Sequence, residues 1–432
     1  MCMLFLYGNC ISYSELTRLG SLRYALKIEI NMPDINELIA KQIFLAARAL
    51  SNDKVIALHE PSLGPEEKIE LIKCLESGFV SSAGEQIGLF EQALADYMGA
   101  KYVIATSTGT AALQTALATI GVKRNDEVLM PSFSFVATAN AVTYLGGVPH
   151  FIDINKNTLG LCPDALEARL KHIGKFRAGV LVNRETGNPI KAIVPVHAFG
   201  HSCAIESILR VANECNLPII EDAAESLGTL SGQKHLGTFG TIGCVSFNGN
   251  KIITTGGGGA ILTNNENIAF QARHLATTAK VPHQWRYFHD QIGYNFRMPN
   301  VNAALGIAQL AKIETFISNK RKLYDYYKQN LGKSEFINLM EEPAGTRSNY
   351  WLQTAMVSST PDTPIDLELI LNRVNSSGVL CRPCWVPIHS LPMYKNNPKG
   401  PLDVTTHLSG LIINLPSSPH LKAPDSIHYI NN

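Results

Sequence analysis

Two side chains that could take part in covalent chemistry follow two consecutive predicted strands. Asp222 comes directly after the predicted strand 218–221, and Lys251 lies just beyond the next predicted strand, 244–247. A glycine-rich turn, 256–259, follows the lysine. Pyridoxal phosphate requires such a pair, because it forms a Schiff base with a lysine amine and needs a carboxylate to keep its ring nitrogen protonated. The protonated ring is the electron sink that stabilises a carbanion at the substrate carbon.

The phosphate of this cofactor needs hydrogen-bond donors, and one segment of the chain can supply them. Residues 108–113 follow the predicted strand 102–105 and open a helix. Small residues there let backbone N–H groups approach a dianion, and the helix dipole favours the negative charge at that end. Ser246 offers a hydroxyl near the end of its own strand. The segment and the hydroxyl together predict a phosphate cradle.

Each of these features also has an ordinary structural alternative. Thr108 could be only a helix N-cap, Lys251 a solvated loop lysine, and Asp222 the cap of a turn. The four glycines could form only a tight hairpin. We predict a cofactor site from the order of the motifs along the chain, since no single motif is sufficient.

Three other kinds of site are disfavoured. Residues 200–204 lack the final glycine of a G-x-S-x-G nucleophile elbow, and Ser202 is a natural N-cap. Cys381 and Cys384 form one C-x-x-C pair, whereas a zinc site needs further ligands. No phosphate-binding loop of the P-loop type, dinucleotide fingerprint or H-E-x-x-H motif is present. We therefore expect no metal site and no serine hydrolase.

The elements that position the candidate residues alternate between strands and helices. The predicted strands lie at 102–105, 127–130, 149–154, 192–197, 218–221, 244–247 and 259–263. Helices are predicted between them at 109–120, 136–145, 163–172, 202–215 and 265–277. Several strands are apolar throughout, which is typical of strands covered on both faces. The pattern predicts an α/β fold with a mostly parallel seven-stranded sheet, in which ligands bind at the carboxyl ends of the strands.

The remaining sequence predicts what lies on either side of this sheet. Residues 1–33 are irregular and are predicted to be an N-terminal extension, with disorder left open. A large domain is expected over 34–300, and it begins with helices at 34–50, 65–77 and 86–97. From 301 to 432 we expect a long helix, 301–331, and a small C-terminal α+β domain. Its predicted elements are a strand at 350–357, a helix at 366–376 and a strand at 379–382.

Composition excludes several classes of protein. The 37 Lys and Arg residues balance 36 Asp and Glu residues, so the composition predicts no general basic surface that would bind nucleic acid. Hydrophobic residues make up 45% of the chain, which excludes a disordered protein, and no apolar run is long enough to span a membrane. Charged residues are only 17%, which suggests surface buried between subunits. Nine scattered cysteines and the absence of a signal peptide favour the reducing cytoplasm.

Four segments together resemble the DegT/DnrJ family of sugar-nucleotide aminotransferases. They are Ser107–Leu113, Glu221–Gly228, Ser246–Lys251 and Gly293–Met298. The resemblance extends from about residue 55 to the C-terminus. Two further stretches, Phe79–Gly84 and Arg382–Tyr394, are similar to a subgroup that supplies 4-amino sugars for legionaminic-acid-type nonulosonates and related surface glycans.

This resemblance implies pyridoxal 5′-phosphate as cofactor, fold type I of the enzymes that use it, and a homodimer with shared active sites. It assigns Lys251 to the Schiff base and proton transfer, and Asp222 to the ring nitrogen. The residues implied to contact the rest of the cofactor are Thr110, Ala111 and Ser246 at the phosphate, Phe135 at the ring face, Glu225 near the 3′-hydroxyl, and Asn295 at the phosphate of the partner subunit's site. His197, His389 and Tyr394 are implied as substrate contacts, with packing as the alternative.

The activity implied is transfer of an amino group, from L-glutamate, to the C4 keto group of a nucleotide-linked 4-keto-6-deoxy sugar. Two alternatives stay open, a dehydratase on the same fold and a cofactor-binding regulatory protein without turnover. Family members that dehydrate have lost the lysine, so the presence of Lys251 favours transamination. The sequence does not specify the nucleotide.

Overall fold

Seven strands form the central sheet of the protein in a computed structural model, which describes residues 5–6, 9–10, 34–358 and 364–422. Most of the predicted extension 1–33 lies outside the described residues. In chain order the strands are β1 (Tyr102–Thr106), β2 (Glu127–Pro131), β3 (Val148–Ile152), β4 (Ile190–Ile193), β5 (Ile220–Asp222), β6 (Ile242–Ser246) and β7 (Gly259–Thr263). Their order across the sheet is β1-β7-β6-β5-β4-β2-β3, with isolated parallel bridges joining β4 to β5.

Only β7 runs antiparallel to its neighbours in this sheet. The pairs β5–β6, β2–β3 and β2–β4 are parallel, so the prediction of a mostly parallel sheet is confirmed. The carboxyl ends of β5 and β6 meet at one edge, which brings Asp222 and Ser246 together.

Helices cover both faces of the sheet, which explains why most residues of its strands are apolar. The helices that precede and follow the strands are α1 (Ile35–Arg48), α2 (Pro65–Glu76), α3 (Glu85–Met98), α4 (Gly109–Thr119), α5 (Ala137–Thr143), α6 (Pro163–Ile173), α7 (Ile205–Glu214) and α8 (Glu266–Ala276). Val128 packs with α4 and α5 on one face, and its neighbour Leu129 packs with α6 and α7 on the other. Successive residues of a strand point to opposite faces, so both must be apolar here.

The long helix predicted over 301–331 is two helices, and that prediction was wrong. The helices α9 (Asn300–Ala311) and α10 (Ile313–Leu331) meet at Lys312, whose ammonium pairs with the buried Glu67 carboxylate. They break there because they have different partners. Helix α9 packs on α2 and α3, whereas most of α10 packs in the C-terminal unit.

The C-terminal unit is built on a second, antiparallel sheet. Its strands are β8 (Ile337–Leu339), β9 (Gln353–Val357), β10 (Arg382–Pro383) and β11 (Ile412–Leu415), in the order β8-β9-β11-β10. Helices α11 (Leu367–Ser376) and α12 (Asp403–Ser409) complete it. The strand predicted over 379–382 pairs at both of its ends, through an isolated parallel bridge between Val379 and Ile56 and through Arg382, which pairs with Asn414 of β11.

The first helix lies with this unit. Ile39 and Ile43 of α1 are buried in the same core as Tyr327 of α10 and Ile370 of α11. We predicted α1 as part of the large domain 34–300. The prediction could not do better, because nothing in a single sequence shows which core an amphipathic helix covers. No helix in the described part of the chain is both long and apolar enough to cross a membrane.

Candidate active site

A cavity of about 330 Å³ opens at the carboxyl ends of the central strands. Six of the residues predicted from the sequence line it: Thr110, Phe135, Asp222, Glu225, Ser246 and Lys251. They come from α4, the β2–α5 connection, β5 and the segment after it, the end of β6 and the loop beyond β6. Residues spread over about 140 positions of sequence therefore meet in one concave site.

The N-terminal end of α4 forms one wall of the cavity and fits an anion. Thr108 caps the helix, and its Oγ1 accepts the Ala111 N–H at 3.0 Å. A Cβ on Gly109 would lie 2.7 Å from the Ser246 Cβ, so only glycine lets the helix approach the Ser246 side chain so closely. Free N–H groups, the helix dipole and a hydroxyl converge here, as a phosphate requires. Because the cap already uses its N–H and its side chain is buried, Ala111 does not line the cavity.

Asp222 forms the floor of the site. Its Oδ2 accepts the Thr138 hydroxyl at 2.7 Å, and its Oδ1 accepts the Ala224 N–H at 3.2 Å. Burial raises the pKa of this carboxyl, and the two hydrogen bonds oppose that rise. Within the described residues no cation lies at ion-pair distance from Asp222. A buried carboxylate that faces a cavity and has no cation at ion-pair distance fits the protonated ring nitrogen of pyridoxal phosphate.

Lys251 lies on the cavity wall with its side chain only 13% exposed. Its Nζ is 3.4 Å from Glu225 Oε1, at the outer limit of a hydrogen bond. The other oxygen of Glu225 accepts the Phe199 N–H at 2.8 Å. An amine held near a carboxylate, in a cavity whose floor is a second carboxylate, can bond to a carbonyl carbon and can move protons.

Burial raises the pKa of Glu225 to about 7, although the Lys251 ammonium opposes the rise. The folded chain therefore holds this proton up to a higher pH than the unfolded chain does, and stability of the cofactor-free protein should fall as pH rises from about 4.5 to 7. The contribution is at most roughly 3 kcal/mol, since one pKa unit corresponds to ~1.36 kcal/mol.

We expect the stability of the Glu225→Gln variant to fall less than that of the wild type over this pH range, because the amide does not titrate. Free energies of unfolding of the cofactor-free chains, measured by urea denaturation across this pH range, check it. An identical decline in the wild type and the variant would contradict the effect of burial on Glu225.

Three side chains of the site were missed by sequence analysis. Thr138 donates to Asp222, and the indole rings of Trp351 and Trp385 line the cavity. Thr138 lies in the first turn of α5 after β2, so its place at a strand end could have been noticed. The two tryptophans come from the C-terminal unit, and no local pattern connects them with the strand ends.

Besides Ala111, four predicted residues lie outside the cavity. His197 is fully buried, and its ring nitrogens contact Glu221 Oε2 at 3.1 Å and the Cys203 N–H at 3.3 Å. Tyr394 is also buried and donates its hydroxyl proton to Asn140 Oδ1 at 2.6 Å. His389 Nδ1 lies 2.7 Å from the Ser132 hydroxyl. These contacts favour the packing alternative for the three residues.

Asn295 is exposed and does not line the cavity of its own chain. Its segment nevertheless runs beside the phosphate cradle, because the Phe296 carbonyl accepts the Ser107 N–H at 2.8 Å. Asn295 therefore lies near the cradle but outside the cavity. Its contact with a partner subunit's site stays a prediction.

Comparison with known proteins agrees with the resemblance found in the sequence. The model of the DegT/DnrJ/EryC1/StrS aminotransferase family matches residues 61–432. The chain is 35% identical to GDP-perosamine synthase of Escherichia coli O157:H7 over 87% of this chain and 96% of that protein. It is 37% identical to the putative pyridoxal phosphate-dependent aminotransferase EpsN of Bacillus subtilis, over 79% and 84%. The structure is similar to PseC of Helicobacter pylori, an aminotransferase involved in pseudoaminic acid biosynthesis, with a TM-score of 0.76, 26% identity, and coverage of 85% and 95%.

Proposed function

The chain belongs to the DegT/DnrJ/EryC1/StrS aminotransferase family, and on this premise we propose that it aminates C4 of a nucleotide-linked 4-keto-6-deoxy sugar with L-glutamate as the donor. Pyridoxal phosphate is the cofactor of the family. The observation that supports the proposal best is the single cavity in which the Lys251 amine and the Asp222 carboxylate meet beside the N-terminal end of α4.

Each part of the cofactor has a residue suited to hold it. The N-terminal end of α4 and the Ser246 hydroxyl would hold the phosphate, and Asp222 the ring nitrogen. Phe135, whose ring lines the cavity and is 56% exposed, would cover the ring face, and Glu225 would lie near the 3′-hydroxyl. When bound, the cofactor supplies the electron sink for amino-group transfer.

The chain supplies the proton transfers. Lys251 Nζ would take the proton from Cα of the amino donor as general base and deliver it as general acid to C4′ of the cofactor. Thr138 keeps the Asp222 carboxylate oriented through its hydroxyl. Lys251 and Asp222 lie in a partly enclosed site, where charges are screened less than in water, so both act more strongly on the reacting atoms.

The names of the relatives support a sugar nucleotide as the acceptor. One relative is named for the amino sugar perosamine linked to GDP, and the Helicobacter pylori structure is described as part of pseudoaminic acid biosynthesis. We propose a role in surface glycan or nonulosonic acid biosynthesis, including legionaminic-acid-type pathways, in the cytoplasm. The dehydratase remains the second candidate activity, and the intact Lys251 speaks against it.

The proposed activity can be tested with L-glutamate and a panel of UDP-, GDP- and dTDP-linked 4-keto-6-deoxy sugars. Mass spectrometry of the products distinguishes three outcomes. An amino sugar supports the proposal, a deoxygenated sugar indicates the dehydratase, and no product with any member of the panel, despite bound cofactor, indicates a regulatory protein.

We also propose that the protein works as a homodimer with shared sites. Large apolar side chains are exposed on α2 and in the loop 280–292; they are Ile69, Ile72, Leu75, Trp285, Tyr287, Phe288 and Ile292. Clustered exposed apolar residues mark interaction surfaces. Asn295 follows the loop directly, so a partner seated there would bring Asn295 near another subunit's cradle.

Mixing two inactive variants tests whether Asn295 acts across the dimer. We expect Lys251→Ala chains and Asn295→Asp chains to regain activity when they exchange subunits, because each hybrid has one site with an intact lysine and an intact asparagine. Asn295→Asp places an anion near the phosphate dianion and should lose more activity than Asn295→Ala. With hybrid formation confirmed by native mass spectrometry, no recovery would contradict the shared site.

A further inference from the structure

The lysine of the active site faces an aromatic ring that the C-terminal unit supplies. Lys251 Nζ lies 4.1 Å from the centroid of the Trp351 ring, which precedes β9. The indole N–H of Trp351 donates to the Asn250 carbonyl oxygen at 2.6 Å. The ring is therefore tied to the residue next to the lysine, and its face is turned to the ammonium as in a cation–π contact.

A second lysine holds the backbone of Trp351. Lys320 on α10 is completely buried, and its Nζ donates to the Trp351 carbonyl oxygen at 3.0 Å. The same ammonium donates to the carbonyl and hydroxyl oxygens of Ser417. The Nζ of Lys320 thus has three oxygen partners, which a buried nitrogen requires when it has no carboxylate beside it.

The segment that carries Trp351 needs such support. Tyr350 has a φ of 46°, a left-handed conformation that is uncommon for a bulky residue and persists only when the surroundings fix it. The Trp351 N–H is bonded to Asn349 Oδ1, and the Asn349 amide donates to the carbonyls of Glu225 and Leu227. The surroundings of Tyr350 therefore fix the ring relative to both Lys251 and Glu225.

The neighbours of Lys251 include the Trp351 ring, the Glu225 carboxylate at 3.4 Å and, across the cavity, Asp222. The charge of Lys251 also acts on His59. The Glu225 contact is long, and one oxygen of that carboxylate is occupied by the Phe199 N–H. The indole face is therefore a principal contact of the ammonium on its side of the cavity.

We propose that Trp351 is a positioning residue for Lys251, and that Lys320 acts through Trp351. The indole face fixes where the free amine rests while it is not bonded to the cofactor, so the amine stays within reach of the reacting carbon. This inference deepens the proposed role of Lys251 and rests on it.

Competitive labelling of the full-length chain, freed of pyridoxal phosphate with hydroxylamine, tests the proposal without any substrate. Acetic anhydride labels free amines only, and peptide mass spectrometry gives the rate at Lys251 relative to the exposed Lys175. We expect Trp351→Leu to speed labelling of Lys251 about three- to fivefold, through loss of the ring face. Trp351→Phe keeps a ring face and should stay within about twofold of the wild type.

Lys320→Met tests the second half of the proposal. We expect the same acceleration as in Trp351→Leu, and no further acceleration when the two changes are combined, because residues that act in one chain of contacts are not additive. If Lys320→Met does not fold, Ser417→Ala removes one of the three acceptors and should give a smaller change in the same direction.

Unchanged labelling of Lys251 in Trp351→Leu, or an equal change at Lys175, would overturn the positioning role. Effects of the two changes that multiply would overturn the action of Lys320 through Trp351. The labelling needs no turnover, so either failure is separate from a failure of the proposed activity.

Discussion

Replacing Lys251 with alanine is expected to lower amino-group transfer by at least about four orders of magnitude, a barrier increase above ~5 kcal/mol. The variant loses both the amine that bonds to the cofactor and the group that moves the Cα proton. Cofactor should still bind, because the phosphate cradle and Asp222 are intact. Single-turnover rates with L-glutamate measure the loss, and Lys175→Ala, at an exposed lysine outside the cavity, is the matched control.

Covalent labelling gives an independent check of the same residue. Borohydride treatment of the wild-type enzyme should leave the pyridoxyl group attached to the peptide that contains Lys251. Lys234 and Lys280 lie over the rings of Phe239 and Tyr287, outside the cavity. Recovery of the adduct on either of these lysines would refute the assignment.

Asp222→Asn should lower turnover by roughly three orders of magnitude or more, ~4 kcal/mol or above, while the cofactor still binds. Asparagine keeps the shape of the side chain but removes the negative charge that favours the protonated ring nitrogen. The cofactor-free fold should not suffer, because burial raises the pKa of this carboxyl and makes its charge unfavourable there. Turnover, cofactor affinity and thermal unfolding are the three measurements.

A variant that retained more than about a tenth of the wild-type rate, a barrier change below ~1.4 kcal/mol, would show that another group protonates the ring. Thr138→Val is a useful companion, because it removes the hydroxyl donor and leaves the charge of Asp222 in place. We expect a smaller loss from that change than from Asp222→Asn.

The large unit could be predicted closely from sequence because its signals are local. Strands such as Glu127–Pro131 are buried throughout and apolar from Val128 onward since both faces are covered, and the helices between them have their own period. The site residues Asp222, Ser246 and Lys251 follow from the same logic, because the carboxyl ends of neighbouring parallel strands must meet.

Other features could not be predicted because they depend on contacts between distant segments. The break at Lys312 reflects two different packing partners, and the place of α1 reflects which core it covers. Trp351 reaches the cavity only because a strained turn at Tyr350 and a buried Lys320 hold it there. His197 was predicted to end a strand, but β4 ends at Ile193, and the buried side chain of His197 contacts Glu221.

The transfer of one nitrogen atom tests the central claim most directly. The enzyme would be incubated with L-glutamate carrying heavy nitrogen and with the 4-keto-6-deoxy sugar nucleotide that the panel identifies as its substrate. We expect the label on C4 of the product sugar, located by NMR, with an equal amount of 2-oxoglutarate formed. A product without the label, or a label on another carbon of the sugar, would contradict the proposed function.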